Sequence, residues 1–396
     1  MAAHRWDSAH PDVPPGVLVE DAAPESAEGF RTGQPAFLGL TRPAAARAGR
    51  SPRLSWLTRR GQLTGTVFES AGSFLGEAVR GFFDNGGERC VVVPWALEGD
   101  IAAATPEQWA ASLEACLARL EGVEDVDLVC APDAARAGAS TAQLQCRILK
   151  HCEKMRNRFA ILDSRAEATP DQVLEQWQDL LPTDGALYYP WIRVVRPLSG
   201  ATWLPPCGHL AGIYARTDAR FGVHKAPANA AVEGAVDVRV DLTDEQQRVL
   251  NGAGVNCVRA FHGRGLRVWG ARTLSGRAEW RYVNVRRLFM TLTRWMATAC
   301  RDLVFESNDP RLWSRIRDRV NGYCYELFQR GALKGPTAAD AFFVKCDAET
   351  NPPATRDLGE VKTEIGLAPL RPAEFIVVRV TQSAAGTAME STSLTE

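Results

Sequence analysis

The side chains from which a nucleophile, a general base or a metal site would be built are ten cysteines and six histidines in a chain of 396 residues. Metal sites need ligands at short fixed spacings, and a nucleophilic dyad needs two groups that face each other. The histidines (4, 10, 151, 209, 224 and 262) have no such spacing, no HExxH or CxxC occurs, and the neighbours His151 and Cys152 cannot easily face one another. A phosphate would sit on a glycine-rich loop that opens a helix. Here the apolar run Cys90–Val93 leads instead into VPWALEGD, and there is no GxGxxG, no Walker-type loop and no GxSxG elbow. No catalytic, cofactor-binding or metal residue is therefore expected. An enzyme using an α/β domain is the alternative reading, with no motif to carry it. The cysteines stand singly, most in apolar runs such as CVVV and DLVCAP, and read as reduced core thiols.

Charge is the more informative chemistry. Lys and Arg total 46 against 47 Asp and Glu, yet residues 255–335 hold sixteen basic and six acidic side chains, leaving the remainder net acidic. That division predicts a surface facing an acidic partner or the acidic half of a sister molecule, against the plainer reading of charges spread round a solvated surface. Within the stretch, Asp309-Pro310 starts a helical pattern whose buried face is Leu312, Ile316, Val320, Tyr323 and Leu327. Arg311, Arg315, Arg317 and Arg319 lie mainly outside that face as a basic ridge, with Asp318 and Glu326 on the same helix to neutralise it. One helix earlier, Val285, Leu288, Phe289, Leu292, Trp295, Met296, Ala299 and Leu303 form a stripe, with Arg286, Arg287, Arg294 and Arg301 off it.

The elements that would carry these residues follow from periodicity. At 45% hydrophobic and 23% charged the composition excludes disordered, collagenous and coiled-coil classes, and the length predicts two or three domains. There is no apolar run of about 18 residues, and the start MAAHRWDSAHPDVPPG lacks a signal-peptide pattern, so a soluble protein made in the cytoplasm is expected, without membrane insertion. Between 85 and 195, strand-like runs (Cys90–Val93, Val126–Cys130, Phe159–Leu162 and 187–195) alternate with helical patterns at 105–120, 139–155 and 170–181, the signature of a parallel sheet with crossover helices. The expected fold class is α/β: an α/β domain with a parallel-type sheet plus an α+β C-terminal assembly domain carrying extended N- and C-terminal strand arms. The expected boundaries are 1–35 (arm and linker), 36–250 (α/β outer domain), 251–372 (C-terminal domain) and 373–396 (strand arm and tail). Val17, Leu18 and Val19 follow Pro14-Pro15 as a short strand. Phe375, Ile376, Val377, Val378, Arg379, Val380 and Thr381 alternate as a second one, trailed by the small polar segment SAAGTAMESTSLTE.

Several blocks together carry a resemblance. GVNCVRAFHGRGLRVWGARTLS (254–275), WRYVNVRRLF (280–289), VFESNDPRLW (304–313), AFFVKCDAETNP (341–352) and PAEFIVVRVTQ (372–382) closely resemble the contractile tail sheath protein family. PGVLVED (15–21), FFDNGGERC (82–90), RFAILD (158–163) and AGIYARTDARFGVHKAPAN (211–229) fit the same family in the same order, so the likeness spans most of the chain. The histidine of AFHGRG is often proline in that family, and the acidic segment 20–30 is not one of its diagnostic blocks.

The resemblance implies a non-enzymatic subunit, without cofactor, that stacks on itself as hexameric rings in a helical sleeve round an inner tube protein. It implies baseplate and terminal cap proteins as further partners, sister sheath proteins as an option, and no nucleic acid. Assembly would occur in the bacterial cytoplasm, giving part of a phage tail or a released tail-like particle that contracts to drive the tube through a target envelope. It also implies that the two terminal strands complete a sheet in neighbouring subunits. On this reading the ridge Arg311, Arg315, Arg317 and Arg319 faces an acidic tube, or alternatively a neighbour's acidic α/β domain.

Overall fold

In this computed structural model the residues described are 30–40, 54–58, 72–97, 101–196, 200–374, 376–383 and 386–393. Apolar runs and helical stripes alternate through the first half. They give β1 (Pro35–Leu40), β2 (Ser55–Leu57), α1 (Leu75–Asp84), β3 (Cys90–Trp95), α2 (Pro106–Glu121), β4 (Leu128–Cys130), α3 (Thr141–Met155), β5 (Phe159–Asp163), α4 (Pro170–Gln178) and β6 (Gly185–Tyr189). There follow β7 (Ile192–Arg196), β8 (Gly200–Leu204), α5 (Cys207–Phe221), β9 (Ala235–Val238), α6 (Asp244–Ala253), β10 (Val255–Phe261) and β11 (Gly265–Trp269). Helices α2, α4 and α6 share one start signal. Thr105, Thr169 and Thr243 each accept from the backbone N–H three residues on, and Gln108, Gln172 and Gln246 each reach back to the cap N–H, so orphan donors at both ends of the first turn are met.

Eight strands form the main sheet in the order β11-β10-β6-β5-β4-β1-β3-β2. The six from β10 to β3 are parallel, with β11 and β2 antiparallel at the edges. Side chains alternate between two buried faces, as a parallel sheet covered on both sides requires. On one face Leu38, Val91, Val129, Leu162 and Leu187 pack with α2, α3 and α4. On the other, Phe37, Val92, Cys130, Ile161 and Tyr188 pack with α1 and α5. Helices α1 and α5 meet through glycines: a Cβ added at Gly208 would lie 2.3 Å from the Ala78 carbonyl oxygen, and one at Gly212 would lie 2.4 Å from that of Phe82.

Two features differ from the sequence reading. The run expected as a single strand over 187–195 divides at Pro190: β6 stays in the main sheet, whereas β7 pairs with β8 and β9 in a separate three-stranded sheet. Proline has no N–H for a ladder, so a strand passing through it would lose a bond there. The main sheet also runs across residue 250, where a boundary was expected. The cause is pairing: β10 adds beside β6 at Val255↔Leu187 and Cys257↔Tyr189.

The rest of the chain gives α7 (Val283–Ala299), α8 (Pro310–Gln329), α9 (Ala338–Ala341), β12 (Phe342–Lys345), α10 (Pro353–Asp357), β13 (Glu364–Leu367), β14 (Ile376–Ser383) and β15 (Gly386–Ser393). Asp309 caps α8 through the N–H groups of Arg311 and Leu312, and Pro310 fills its first position. Leu312, Trp313, Ile316, Val320 and Cys324 bury its apolar face with Leu303 and Cys346. Trp295 of α7 stacks on Tyr323 with ring centroids 4.1 Å apart.

Candidate assembly surfaces

The groups that sequence reading weighed for catalysis are spent on structure. Cys152 is wholly buried and its thiol is held protonated by burial, while the Nε2 of His151 lies 3.0 Å from an Arg158 Nη1. In an open α/β sheet a ligand would enter beyond the strand ends where the order reverses, beside β1 and β4. There the buried Asp133 accepts from the N–H groups of Leu40 and Phe74 and from the Ser73 hydroxyl, each at 2.7 Å. The chain fills that crevice with its own backbone. Among the described residues no group of three His, Cys, Asp or Glu side chains is placed to hold a metal ion.

The division of charge resolves largely within the molecule. Arg287, expected off the apolar stripe of α7, is 3% exposed and forms ion pairs with Asp218 at 2.6 Å and Asp127 at 3.0 Å. Burial opposes the charge on Arg287, yet the two carboxylates hold its proton more firmly than in water, and burial raises the Asp218 carboxyl. Asp127 also accepts from the N–H groups of Gly33 and Gln34, at 3.0 and 2.6 Å, so this buried cluster fixes the chain where it enters β1. Arg286 donates to Asp184 at 2.8 Å, Arg272 to Glu374 at 2.9 Å, Arg259 to Asp244 at 2.8 Å and Arg301 to Glu124 at 3.1 Å. The acidic partner of much of the arginine-rich stretch is this chain's own body.

The same holds for part of the ridge. Arg315 pairs with Glu306, and Arg319 pairs with Asp302 at 2.6 Å and also donates to the Ala299 carbonyl. Arg317 lies 3.8 Å from Asp318 and donates to Ser314 at 3.1 Å. Arg311 is exposed and forms no ion pair with a described residue. The expectation that only Asp318 and Glu326 neutralise the ridge is corrected, because Asp302 and Glu306 arrive from the turn before α8. Counting acids on one helix misses those a preceding loop delivers.

The chain-end strands have different fates. Val17, Leu18, Val19 and Phe375 lie outside the described residues. Ile376, Val377, Val378, Arg379, Val380 and Thr381 form most of β14, and the tail expected to trail from it returns as β15, paired from Ile376↔Ser393 to Ser383↔Gly386. Sequence reading also missed β12 and β13, which form a two-stranded antiparallel sheet from Phe342↔Leu367 to Lys345↔Glu364. Their outer edges meet no other strand among the described residues. The alternation in AFFVK was the available signal.

Residues 102–274 match the phage tail sheath protein central domain, and residues 276–383 match the phage tail sheath C-terminal domain. The tail sheath protein of Vibrio phage KVP40 is 28% identical over 180 residues, which is 44% of this chain but 26% of that protein, so the match spans about a quarter of the relative's length. Among solved structures, the anti-feeding prophage helical sheath in its contracted state is 31% identical with a TM-score of 0.73, over 94% of this chain and 99% of that one. The PVC sheath complex of an extracellular contractile injection system, also contracted, is 28% identical with a TM-score of 0.73, over 94% and 98%.

Proposed function

The chain belongs to the phage tail sheath protein family, and from that premise we propose that it is a structural subunit that assembles with copies of itself, as stacked hexameric rings, round an inner tube. Contraction of this sleeve drives the tube through a target envelope. Baseplate and terminal cap proteins bound its ends, and the product is part of a phage tail or tail-like particle. The observation that carries the reading is the 31% identity along 99% of a subunit from a contracted helical sheath.

The open edges of β12 and β13 support a specific means of linkage. A heterologous contact that does not close on itself propagates as rings and helices. An unpaired edge is a template for a strand from another chain. In this reading Val17, Leu18 and Val19 of one copy, and the β14 segment of another, add to the β12–β13 sheet of a third. Each fully buried aliphatic side chain gains roughly 1.5–3 kcal/mol, and each backbone hydrogen bond about 1 kcal/mol net. Ordering costs roughly 1–2 kcal/mol per residue, so gain and cost are of one size for a single arm. Two arms per subunit, repeated through a lattice, raise the effective concentration and hold the assembly together. Folded bodies can then shift against one another while the strands keep them linked.

The ridge at Arg311, Arg315, Arg317 and Arg319 faces the tube. Exposed ion pairs are worth about 0–1 kcal/mol each and are screened by salt, which suits a surface that must slide. Negative-stain microscopy of the purified chain with its tube protein tests the proposal: striated sleeves are expected, and small particles alone at every concentration would overturn it.

A further inference from the structure

One basic surface keeps its charge after the internal pairing. Arg216, Arg220 and Lys225 line a cleft with Asn229, and Arg220 and Lys225 are exposed. Arg264 and Arg267 reach the same asparagine from the β10–β11 hairpin, at 3.1 Å to its Oδ1 and 2.8 Å to its backbone carbonyl. Arg216 donates to the Ala231 carbonyl at 2.9 Å. These acceptors are neutral, none of the five cations forms an ion pair with a described carboxylate, and among the described residues Glu233 is the one acidic residue lining the cleft.

The cleft adjoins the sheet with open edges. The Asn284 side-chain amide donates both to the His224 carbonyl, at 2.8 Å, and to the Leu370 carbonyl, at 3.1 Å. His224 precedes Lys225 in the cleft wall, and Leu370 lies just past β13. Residues 6–30 contain Asp7, Asp12, Glu20, Asp21, Glu25 and Glu28 and no Lys or Arg. A segment of nine residues, such as 20–28, can span about 30 Å when extended.

We infer that the cleft formed by Arg216, Arg220, Lys225, Arg264 and Arg267 receives the acidic segment Glu20–Glu28 of a second copy, whose preceding strand Val17–Val19 lies on β12–β13. The inference rests on the proposed strand exchange and adds a charge clamp that fixes which way the incoming arm leaves the acceptor sheet. Opposite charge steers and orders an encounter more than it tightens it, so the clamp is a salt-sensitive selector of register. It also gives the acidic segment 20–30 a task of its own.

The test is a charge swap in the full chain, read by sedimentation of polymer on the tube. Arg220→Glu with Lys225→Glu should raise the critical concentration for assembly at least tenfold, while the thermal melt of the monomer stays that of the parent. Arg264→Glu provides a second, independently exposed variant. Combining the cleft reversal with Asp21→Lys and Glu25→Lys should bring the critical concentration back to within about threefold of the parent. Unchanged assembly by the reversed cleft, or no rescue by the swap, overturns the inference. So does nuclease-sensitive assembly of the parent chain, which would make the occupant a nucleic acid. The underlying reading fails differently: there the parent chain forms no polymer, or removing Val17–Val19 does no harm.

Discussion

The eight-stranded sheet and the two small C-terminal sheets use the same backbone chemistry to opposite ends. In the large sheet six strands have partners on both sides and both faces are covered by helices. Among the described residues, every strand of the β12–β13 and β14–β15 pairs is an edge. A two-stranded sheet is marginal by itself in water, so it reaches full value by packing or by gaining strands. Pairing is thus complete for the inner strands of the large sheet, whereas each described C-terminal strand keeps one edge without a described partner. The arginines divide likewise. Those of α7 and its approaches are locked onto Asp127, Asp184 and Asp218, whereas Arg311 and Arg315 on α8 remain exposed.

The sharpest way to break this contrast is Arg287→Ala, which strands two buried carboxylates. Loss of one partner from such a cluster costs about 3–5 kcal/mol, and urea unfolding of the monomer should register it; a change under 1 kcal/mol would mean the cluster is dispensable. Next is Gly208→Val, where the new Cβ would meet the Ala78 carbonyl and force α1 from α5. Overpacking of this kind costs about 1–3 kcal/mol, visible as a lower melting temperature.

A smaller effect comes from acid. Burial lowers the His209 pKa to about 4, and neither ring nitrogen has a partner among Gly81 and its neighbours. The unfolded chain therefore binds the extra proton between the ordinary histidine value and about 4, so stability falls as pH drops through that window. Asp163 acts in the opposite sense. Burial raises its carboxyl to about 7, so the folded state holds more protons at pH 5 and gains from acidification. Comparing the parent with His209→Leu isolates the histidine: between pH 7 and 5 the variant should lose about 1–2 kcal/mol less stability, measured by denaturant titration at both values. Equal losses would contradict the assignment. Smallest for the monomer is Arg311→Glu with Arg315→Glu, expected to shift its stability by about 1 kcal/mol or less while preventing growth on the tube. Unchanged sheath length would remove the ridge from that interface.

Much of this contrast could be read from local pattern. The helical stripes at 105–120 and 312–327 appear as α2 and α8, and Thr105-Pro106 and Asp309-Pro310 cap them as their chemistry requires. What escaped was non-local. Nothing near Arg287 indicates that Asp218 and Asp127, 69 and 160 residues earlier, would meet it. The register that adds β10 to β6 is likewise a tertiary choice, since a run such as Val255–Phe261 fits either sheet. A short strand such as β13 carries little signal because its four residues, Glu364–Leu367, leave too few positions for an alternation to stand out.

Deletion of residues 373–396 tests the central claim most directly, scored by the yield of striated sleeves together with the melting curve of the monomer. The shortened chain should melt as the parent does and form no sleeves on the tube. Sleeves of normal length from the shortened chain would mean that the copies are held together by some other surface.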